Sequence, residues 1–224
     1  MQEQFLIRQA DLISSDVLKA KINIIGAGAI GSFTALTLAK MGFTNITVWD
    51  DDEVSPENMN CQFFRTNDID KPKTQALEEV IYEFTGTVIS TNNVRVDRSV
   101  MLRGDITICA VDCMDSRNII LEQCCSKFLI DARMGAEYIM MYSVCMNSVE
   151  DIENYKKSLY SNAEAVQERC TAKSTMYTVN LIAGLIGKTV KDIMTDSPKT
   201  ITGLDWSVKE NSAVWFAGKQ KLTL

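Results

Sequence analysis

Short β-branched runs alternate with segments of helical period along the first half of the chain. Residues 21–25 predict a buried strand that ends at a glycine cluster, and residues 45–49 predict a second strand. Apolar side chains at helical spacing over residues 29–41 predict a helix that ends at Gly42. Because strands that alternate with helices form βαβ units, we expect an α/β fold with a Rossmann-like, doubly wound, mainly parallel sheet and helices on both faces.

The same alternation continues towards the end of the chain. Pro72 stands at the start of a helix that ends at Gly86. The other expected elements are strands at 87–96 and 105–111, a helix at 116–127, two strands within 128–146, helices at 150–168 and 174–195, and antiparallel edge strands over 199–224. No repeat, low-complexity tract or linker divides the chain, so we expect residues 1–20 to form an N-terminal helical arm and residues 21–224 a single Rossmann-like domain.

Histidine is absent from the 224 residues, which excludes several kinds of active site. A Ser/His/Asp triad, a Cys/His dyad and a His-ligated metal all need an imidazole. The formal net charge of −6 and the lack of a basic run argue against a nucleic-acid partner, because phosphate neutralisation supplies the affinity of such proteins. The seven cysteines include no C-x-x-C pair, so we expect neither a zinc site nor a disulfide framework.

The hydropathy of the chain predicts no membrane partner. Its longest apolar stretches are far shorter than the ~18 residues that a membrane-spanning helix needs. The first residues lack the basic start and apolar core of a signal peptide, so we expect a reduced, cytoplasmic setting.

Residues 26–31 read G-A-G-A-I-G, a complete G-x-G-x-x-G between a predicted strand and a predicted helix. In this motif Gly26 permits a tight turn, Gly28 lets a phosphate approach the backbone, and Gly31 lets helix and strand pack closely. Asp50 ends the next predicted strand about 20 residues later, where a carboxylate meets ribose hydroxyls. The alternative is a glycine-rich turn without a nucleotide, and the motif alone does not separate NAD from ATP.

Three further motifs follow in order. Residues 50–62 form a polar loop, DDDEVSPENMNCQ, residues 71–73 read K-P-K at a helix start, and residues 112–115 read D-C-M-D after a strand. Together with the glycine motif, this set resembles the superfamily of ubiquitin-activating enzymes and their bacterial ThiF/MoeB-like adenylyltransferase relatives. The resemblance runs from about residue 5 to about residue 195.

The resemblance implies an ATP site at the glycine motif. Asp50 would bind the ribose, and Asp52 belongs to the same nucleotide-binding loop. Asn58 and Gln62 lie on the part of the loop that lines the phosphates in the family.

The resemblance also implies roles for two charged residues. Lys73 would offset phosphate charge while a carboxylate attacks the α-phosphorus, and Asp115 would hold Mg²⁺. The alternatives are a solvated lysine in the first turn of a helix and a helix N-cap at Asp115. A cation is unfavourable at a helix N-terminus, which favours an anionic ligand near Lys73.

Of two arginine positions that the resemblance places near the ATP site, this chain matches one and differs at the other. Cys61 replaces the arginine of the polar loop that contacts phosphate in the family, and Arg65 is an alternative source of that charge. Arg8 matches the arginine that the family's N-terminal arm donates into the ATP site of the neighbouring subunit in homodimers. The alternative for Arg8 is a solvated surface arginine.

A third group of residues concerns the acceptor. Cys170, in the run R-C-T-A-K, resembles the thioester-forming cysteine of ubiquitin-activating enzymes, and the alternative is a small buried side chain. Segments 131–137 and 155–160 resemble a compact prokaryotic branch of ThiF-like proteins. Arg133 and Arg117 would line the acceptor side of the nucleotide site, and the alternative for both is a surface arginine.

These motifs predict a homodimeric adenylyltransferase that uses ATP and Mg²⁺ and holds no zinc. Its expected substrate is the C-terminal carboxylate of a small ubiquitin-like or sulfur-carrier protein, with a later transfer to Cys170 left open. One alternative is a nicotinamide-dependent oxidoreductase, which the asparagine-rich loop and K-P-K disfavour. The other is a catalytically inactive ThiF-like scaffold, which Cys61 supports.

Overall fold

The computed structural model describes residues 6–159, 174–197, 200–217 and 220–223. Within these residues nine strands form one sheet. The strands are β1 (Ile22–Ile25), β2 (Ile46–Trp49), β3 (Ser90–Asn92), β4 (Ile106–Cys109), β5 (Phe128–Gly135), β6 (Tyr138–Cys145), β7 (Ile201–Ser207), β8 (Ser212–Ala217) and β9 (Gln220–Thr223). Their order across the sheet is β3-β2-β1-β4-β5-β6-β7-β8-β9.

Helices cover both faces of this sheet. Those in the described residues are α1 (Ala29–Lys40), α2 (Lys73–Thr85), α3 (Met114–Gln123), α4 (Val149–Lys156) and α5 (Met176–Met194). The first, second and fifth helices share one core cluster with the sheet, and the third and fourth share another. No helix in the described part of the chain combines the length and apolarity needed to cross a bilayer.

The pairing of the strands confirms the expected fold class. β3, β2, β1, β4 and β5 are parallel, as in half of a Rossmann sheet, and β5 to β9 continue as antiparallel neighbours. Side chains alternate between the two cores: Ile22 and Ile24 of β1 pack in the first cluster, and Ile25 packs in the second. All four residues of β1 are buried because both faces of this strand are covered, and the one polar member, Asn23, donates from its side chain to the Arg103 carbonyl at 3.2 Å.

Some element boundaries differ from the expectation. α3 ends before Cys124, because Cys124 takes an extended conformation and bridges to Leu102. β3 is limited to three residues of the expected 87–96, and α4 ends at Lys156. The rest of the expected helix at 150–168 lies partly in 160–173, outside the described residues.

The N-terminal arm packs on the far end of α1. Within the described part of this arm, residues 7–16 form turns and bends, and a 3-10 helix covers Val17–Lys19. The Gln9 side chain donates to the carbonyl of Met41, just after α1 ends, and Leu6 lies against Gly42. The arm is therefore attached to the C-terminal end of α1.

A network of ion pairs attaches the loop before α2 to that helix. The buried Asp68 carboxylate accepts hydrogen bonds from Arg65 at 2.8 Å and Lys71 at 3.2 Å. Arg65 also donates to Glu79 at 3.0 Å and to Glu83 at 2.6 Å. Burial opposes ionisation of Asp68, but the bonds from Arg65 and Lys71 outweigh it and hold its pKa at about 2, below the ordinary 3.8. These ion pairs thus fix the loop of residues 65–71 against α2.

Asp68→Asn should lower the free energy of unfolding by about 2 kcal/mol at pH 7, because it removes the buried anion that the partly exposed Arg65 guanidinium and Lys71 ammonium share. The lowered pKa makes ionised Asp68 stabilising above pH 3.8, by about 2 kcal/mol, and this contribution is lost as the pH falls towards 2. Urea unfolding from pH 6 to pH 3 measures both effects.

The matched control is Asp70→Asn, which removes an exposed carboxylate at a residue whose φ of 70° asparagine also accepts. We expect this variant to unfold within about 0.5 kcal/mol of the wild type. A stability gap between wild type and Asp68→Asn that stays constant below pH 4 would contradict the lowered pKa.

Candidate functional site

The glycine turn lies where the strand order changes direction. β1 pairs with β2 on one side and with β4 on the other, so a crevice opens beyond the carboxyl ends of these strands. Gly26 has a φ of +98°, and a Cβ there would lie 2.8 Å from the Ala110 carbonyl oxygen. A Cβ at Gly31 would lie 1.8 Å from the Gly26 carbonyl oxygen, whereas one at Gly28 would meet no heavy atom within 4 Å. Gly26 and Gly31 therefore serve the turn and its packing, and Gly28 faces open space.

The N-terminus of α1 is open to a ligand. Gly28 is its N-cap residue and supplies no side chain to bond the first N–H groups of the helix. These donors and the positive end of the helix dipole face the open space at Gly28. The geometry fits a phosphate group at this position.

Asp50 joins the end of β2 to the glycine turn. One carboxylate oxygen accepts the Ala27 N–H at 2.6 Å, and the other accepts the Asp52 N–H at 2.8 Å. Burial raises the pKa of Asp50, and the two backbone hydrogen bonds partly offset that rise. Each oxygen retains a lone pair, so the carboxylate can still accept hydrogen bonds from ribose hydroxyls.

Lys73 lies in the same group of residues. Its ammonium is 2.7 Å from the Asp52 carboxylate, and its side chain is 8% exposed against 66% for that of Asp52. The Lys73 N–H also donates to the Asp52 carbonyl at 2.9 Å. The alternative of a solvated lysine is therefore wrong, because Lys73 is a buried cation linked to the glycine turn through Asp52 and Asp50.

The polar loop crosses the first turns of α1. The Ser32 hydroxyl of α1 accepts the Phe63 N–H at 3.0 Å, which places the loop beside the glycine turn. The Asn58 side chain accepts the Ser55 N–H at 3.1 Å and closes the turn there. The Gln62 side-chain oxygen is buried and has no hydrogen-bond partner among the described residues, so it is available to a donor on a ligand.

The positive charge of the family's phosphate-contacting arginine is not replaced at the glycine turn, either by Cys61 in its position or by Arg65 nearby. Cys61 is buried in an apolar cluster with Phe33, Val179 and Ala183. The Arg65 guanidinium is engaged by the acidic residues on and before α2, so the expectation that it replaces the family arginine is wrong. The cause is local, because Asp68 lies three residues after Arg65 and captures its guanidinium.

Asp115 lies at the same edge of the sheet. It is exposed in the first turn of α3, directly beyond β4, and Cys113 rather than Asp115 is the N-cap residue. The N-cap alternative for Asp115 is therefore wrong. An exposed carboxylate that follows β4, the strand next to β1, suits Mg²⁺, which prefers hard oxygen ligands and keeps several waters. The residues present therefore fit the ion that the family resemblance implies.

Arg117 and Arg133 form a buried cluster that the sequence did not predict. Both donate to the fully buried Asp131 carboxylate, Arg133 at 2.7 Å, and Arg117 also donates to the Val111 carbonyl. Burial opposes the charge of Arg117, but Asp131 outweighs it, and the pKa of Arg117 is raised. The alternative of surface arginines is wrong, because the side chains of Arg117 and Arg133 are only 5% and 11% exposed.

Arg133 also anchors the end of α4. It donates to the carbonyl of Ser158 at 2.9 Å and to its hydroxyl at 3.0 Å, and its guanidinium stacks 5.0 Å from the Tyr142 ring centroid. On the other side of the β5–β6 turn, Ala136 bridges to Ser174 before α5. No sequence pattern predicts these contacts, since the partners are far apart along the chain.

The structure brings together most of the residues that the sequence nominated. The glycine turn, Asp50, Asp52, Lys73 and the polar loop form one connected group. Arg8 lies apart, because its neighbours pack at the C-terminal end of α1, a helix of 12 residues and hence about 18 Å long. Cys170 lies outside the described residues.

Comparison with known proteins identifies relatives of this chain. The sequence pattern of the ThiF family matches residues 5–212. The NEDD8-activating enzyme E1 catalytic subunit of Arabidopsis thaliana is 34% identical over 105 residues, or 45% of this chain and 23% of that protein. The sulfur carrier protein ThiS adenylyltransferase of Escherichia coli K12 is 29% identical over 114 residues, or 48% of this chain and 45% of that protein. The chain thus spans less than half the length of these relatives.

A solved structure shares the fold. The crystal structure of E. coli MccB with MccA-N7isoASN matches with a TM-score of 0.72 over 92% of this chain and 66% of that chain. The two sequences are 16% identical, so the match concerns the fold. It confirms the Rossmann-like arrangement expected from the strand order.

Substitution by alanine can separate the packing role of Gly31 from the role of Gly28 in leaving space for a ligand. Gly31→Ala should lower the free energy of unfolding by roughly 1–3 kcal/mol, because its Cβ collides with the Gly26 carbonyl. Gly28→Ala should leave thermal unfolding nearly unchanged, since φ is −75° there and the space is open, but should weaken nucleotide binding. Circular dichroism melting and nucleotide titration measure the pair. Equal stability of Gly31→Ala and the wild type would contradict the close packing.

Proposed function

Because the chain belongs to the ThiF family, we propose that it is an ATP-dependent adenylyltransferase. Its substrate is the C-terminal carboxylate of a small ubiquitin-like or sulfur-carrier protein. The observation that carries the proposal is the open N-terminus of α1 at Gly28, connected through Asp50 and Asp52 to the buried ammonium of Lys73. This arrangement offers backbone donors and one cation to a polyphosphate.

The proposed reaction needs no proton transfer. A carboxylate oxygen of the carrier attacks the α-phosphorus of ATP, a new O–P bond forms, the bond to the bridging oxygen breaks, and pyrophosphate leaves. A C-terminal carboxylate is already ionised at pH 7 and needs no general base. A chain without histidine can therefore perform the step by positioning and charge compensation.

The residues divide this work between them. Gly26, Gly28 and Gly31 shape the turn that receives the phosphates, and Asp50 holds the ribose. Asn58 and Gln62 border the phosphates, and Lys73 offsets the charge that develops on pyrophosphate.

The acidic rim of the site favours a divalent cation. Asp51, Asp52 and Glu53 are exposed in the loop that Asp50 joins to the glycine turn, and Asp115 is exposed in the first turn of α3, which follows β4. Phosphates next to these carboxylates would be repelled unless a cation lies between. Mg²⁺, which Asp115 would hold through oxygen ligation, supplies that positive charge.

A second candidate function rests on Cys61. The family's phosphate-contacting arginine is replaced by this buried cysteine, and Arg65 is engaged elsewhere. A chain that binds nucleotide but lacks this charge would serve as a scaffold without chemistry. The acceptor role of Cys170 is likewise a proposal, and Arg169 and Lys173 beside it in the sequence would favour the thiolate that such a role requires.

Pyrophosphate exchange tests the proposed reaction. With ATP, Mg²⁺ and a cognate carrier, labelled pyrophosphate should enter ATP, and Lys73→Ala and Asp115→Ala should each reduce the rate by about 100-fold or more. ATP with Mg²⁺, and not NAD(P)H, should raise the melting temperature of the wild type. Exchange that persists in both variants would contradict the assignments, and ATP binding without exchange for any carrier would favour the scaffold.

We also propose a homodimer in which Arg8 acts in the site of the other subunit. The arm that carries Arg8 packs about 18 Å from the glycine turn of its own chain, judged from the length of α1. A second copy can present the arginine where its own chain does not, as closed two-fold symmetry allows.

Mixing two inactive variants tests this arrangement. Arg8→Ala and Lys73→Ala chains, unfolded and refolded together, should recover about a quarter of wild-type exchange, because half the dimers are mixed and one site in each is intact. Each variant refolded alone is the control. Failure of the mixture to exceed the separate variants would contradict donation between subunits.

A further inference from the structure

We propose that Asp52 is a built-in counter-ion that occupies Lys73 in the nucleotide-free protein and is displaced when phosphate binds, so that it competes with the nucleotide. The Lys73 ammonium lies 2.7 Å from the Asp52 carboxylate. The Lys73 side chain is 8% exposed, and that of Asp52 is 66% exposed. The buried cation is therefore the fixed partner, and the exposed anion is the one that can leave. This inference rests on nucleotide binding at the glycine turn.

The backbone of Asp52 is held while its side chain is not. Its N–H donates to the Asp50 carboxylate at 2.8 Å, and its carbonyl accepts the Lys73 N–H at 2.9 Å. Rotation of the Asp52 side chain alone therefore frees the ammonium, and neither the glycine turn nor α2 has to move. The exchange of one anion for another at Lys73 is a local event.

The surrounding charges make the competition depend on the charge of the ligand. One carboxylate oxygen from each of Asp50, Asp51 and Asp52 lies within 4.8 Å of the other two. When a phosphate takes the ammonium, the released Asp52 carboxylate adds its repulsion to that of its neighbours. In the absence of a divalent cation, the penalty grows with the number of phosphate charges. Asp52 therefore disfavours a metal-free triphosphate more than a monophosphate.

Asp52→Asn removes the competing charge and keeps a group of the same shape. Isothermal titration in EDTA with AMP, ADP and ATP should show tighter binding to this variant than to the wild type. We expect a gain of about five- to tenfold for ATP, less for ADP and least for AMP, in line with one partly exposed ion pair and the added repulsion. If Asp52 serves only to position Lys73, all three nucleotides should bind more weakly to the variant.

Asp51→Asn is the matched control. It removes the same charge one residue away, but no ion pair between Asp51 and Lys73 occurs in the described residues. Its gain for ATP should be clearly smaller than that of Asp52→Asn. In a Lys73→Met background, Asp52→Asn should lose most of its gain, because no ammonium remains to compete for.

The outcomes separate this inference from the proposed function. Wild-type binding of ATP with no gain in Asp52→Asn, or with an equal gain in Asp51→Asn, overturns the counter-ion role and leaves nucleotide binding intact. Absence of nucleotide binding to the wild type and to Asp52→Asn, with and without Mg²⁺, overturns both. A gain graded from AMP to ATP that depends on Lys73 supports the role.

Discussion

The hydrogen bond that the Asp50 carboxylate accepts from the Ala27 N–H is the contact on which the site depends. It ties the end of β2 to the glycine turn after β1. Through its second oxygen, Asp50 also fixes the Asp52 N–H, and Asp52 in turn holds Lys73. One half-buried carboxylate thus sets the spacing between an open helix N-terminus and a buried ammonium, which are the two features that a polyphosphate requires.

This dependence has an electrostatic consequence. The site is built from carboxylates, although its proposed ligand is an anion. The N–H groups of α1 and the ammonium of Lys73 attract phosphate, while the exposed rim from Asp51 to Glu53 repels it. A site of this kind binds its ligand well only when a cation accompanies the phosphates or when a carboxylate moves away from them. The proposed role of Asp115 is to hold such a cation, and the proposed role of Asp52 is to release Lys73 when phosphate binds.

Sequence patterns predicted the fold class, and the residues that they nominated around the glycine motif lie close together. The β-branched run at 21–25, the helix that ends at Gly42 and the antiparallel strands after residue 199 all occur where expected. The glycine motif, Asp50 and Lys73 are neighbours, because parallel strands of a doubly wound sheet bring their carboxyl ends to one edge. Local spacing was sufficient for these features, since each motif lies within or next to one element.

The sequence was less informative about which charges pair. Arg65 stood four residues from the position of the family arginine, yet Asp68 and two glutamates of α2 engage it. Arg117 and Arg133 read as surface or site residues, yet both share the buried Asp131. Side chains of this length reach several alternative partners, and burial selects among them, because an unpaired charge in the core is too costly to persist.

The sequence by itself determined the order of strands and helices, the glycine turn and the absence of imidazole chemistry, because these follow from local backbone geometry and composition. Only the tertiary structure decided that Lys73 is buried against Asp52, that Cys61 is apolar packing, and that the arm of Arg8 lies at the far end of α1. These outcomes depend on how distant segments share a low-dielectric interior, where burial and partner choice fix the role of each charge.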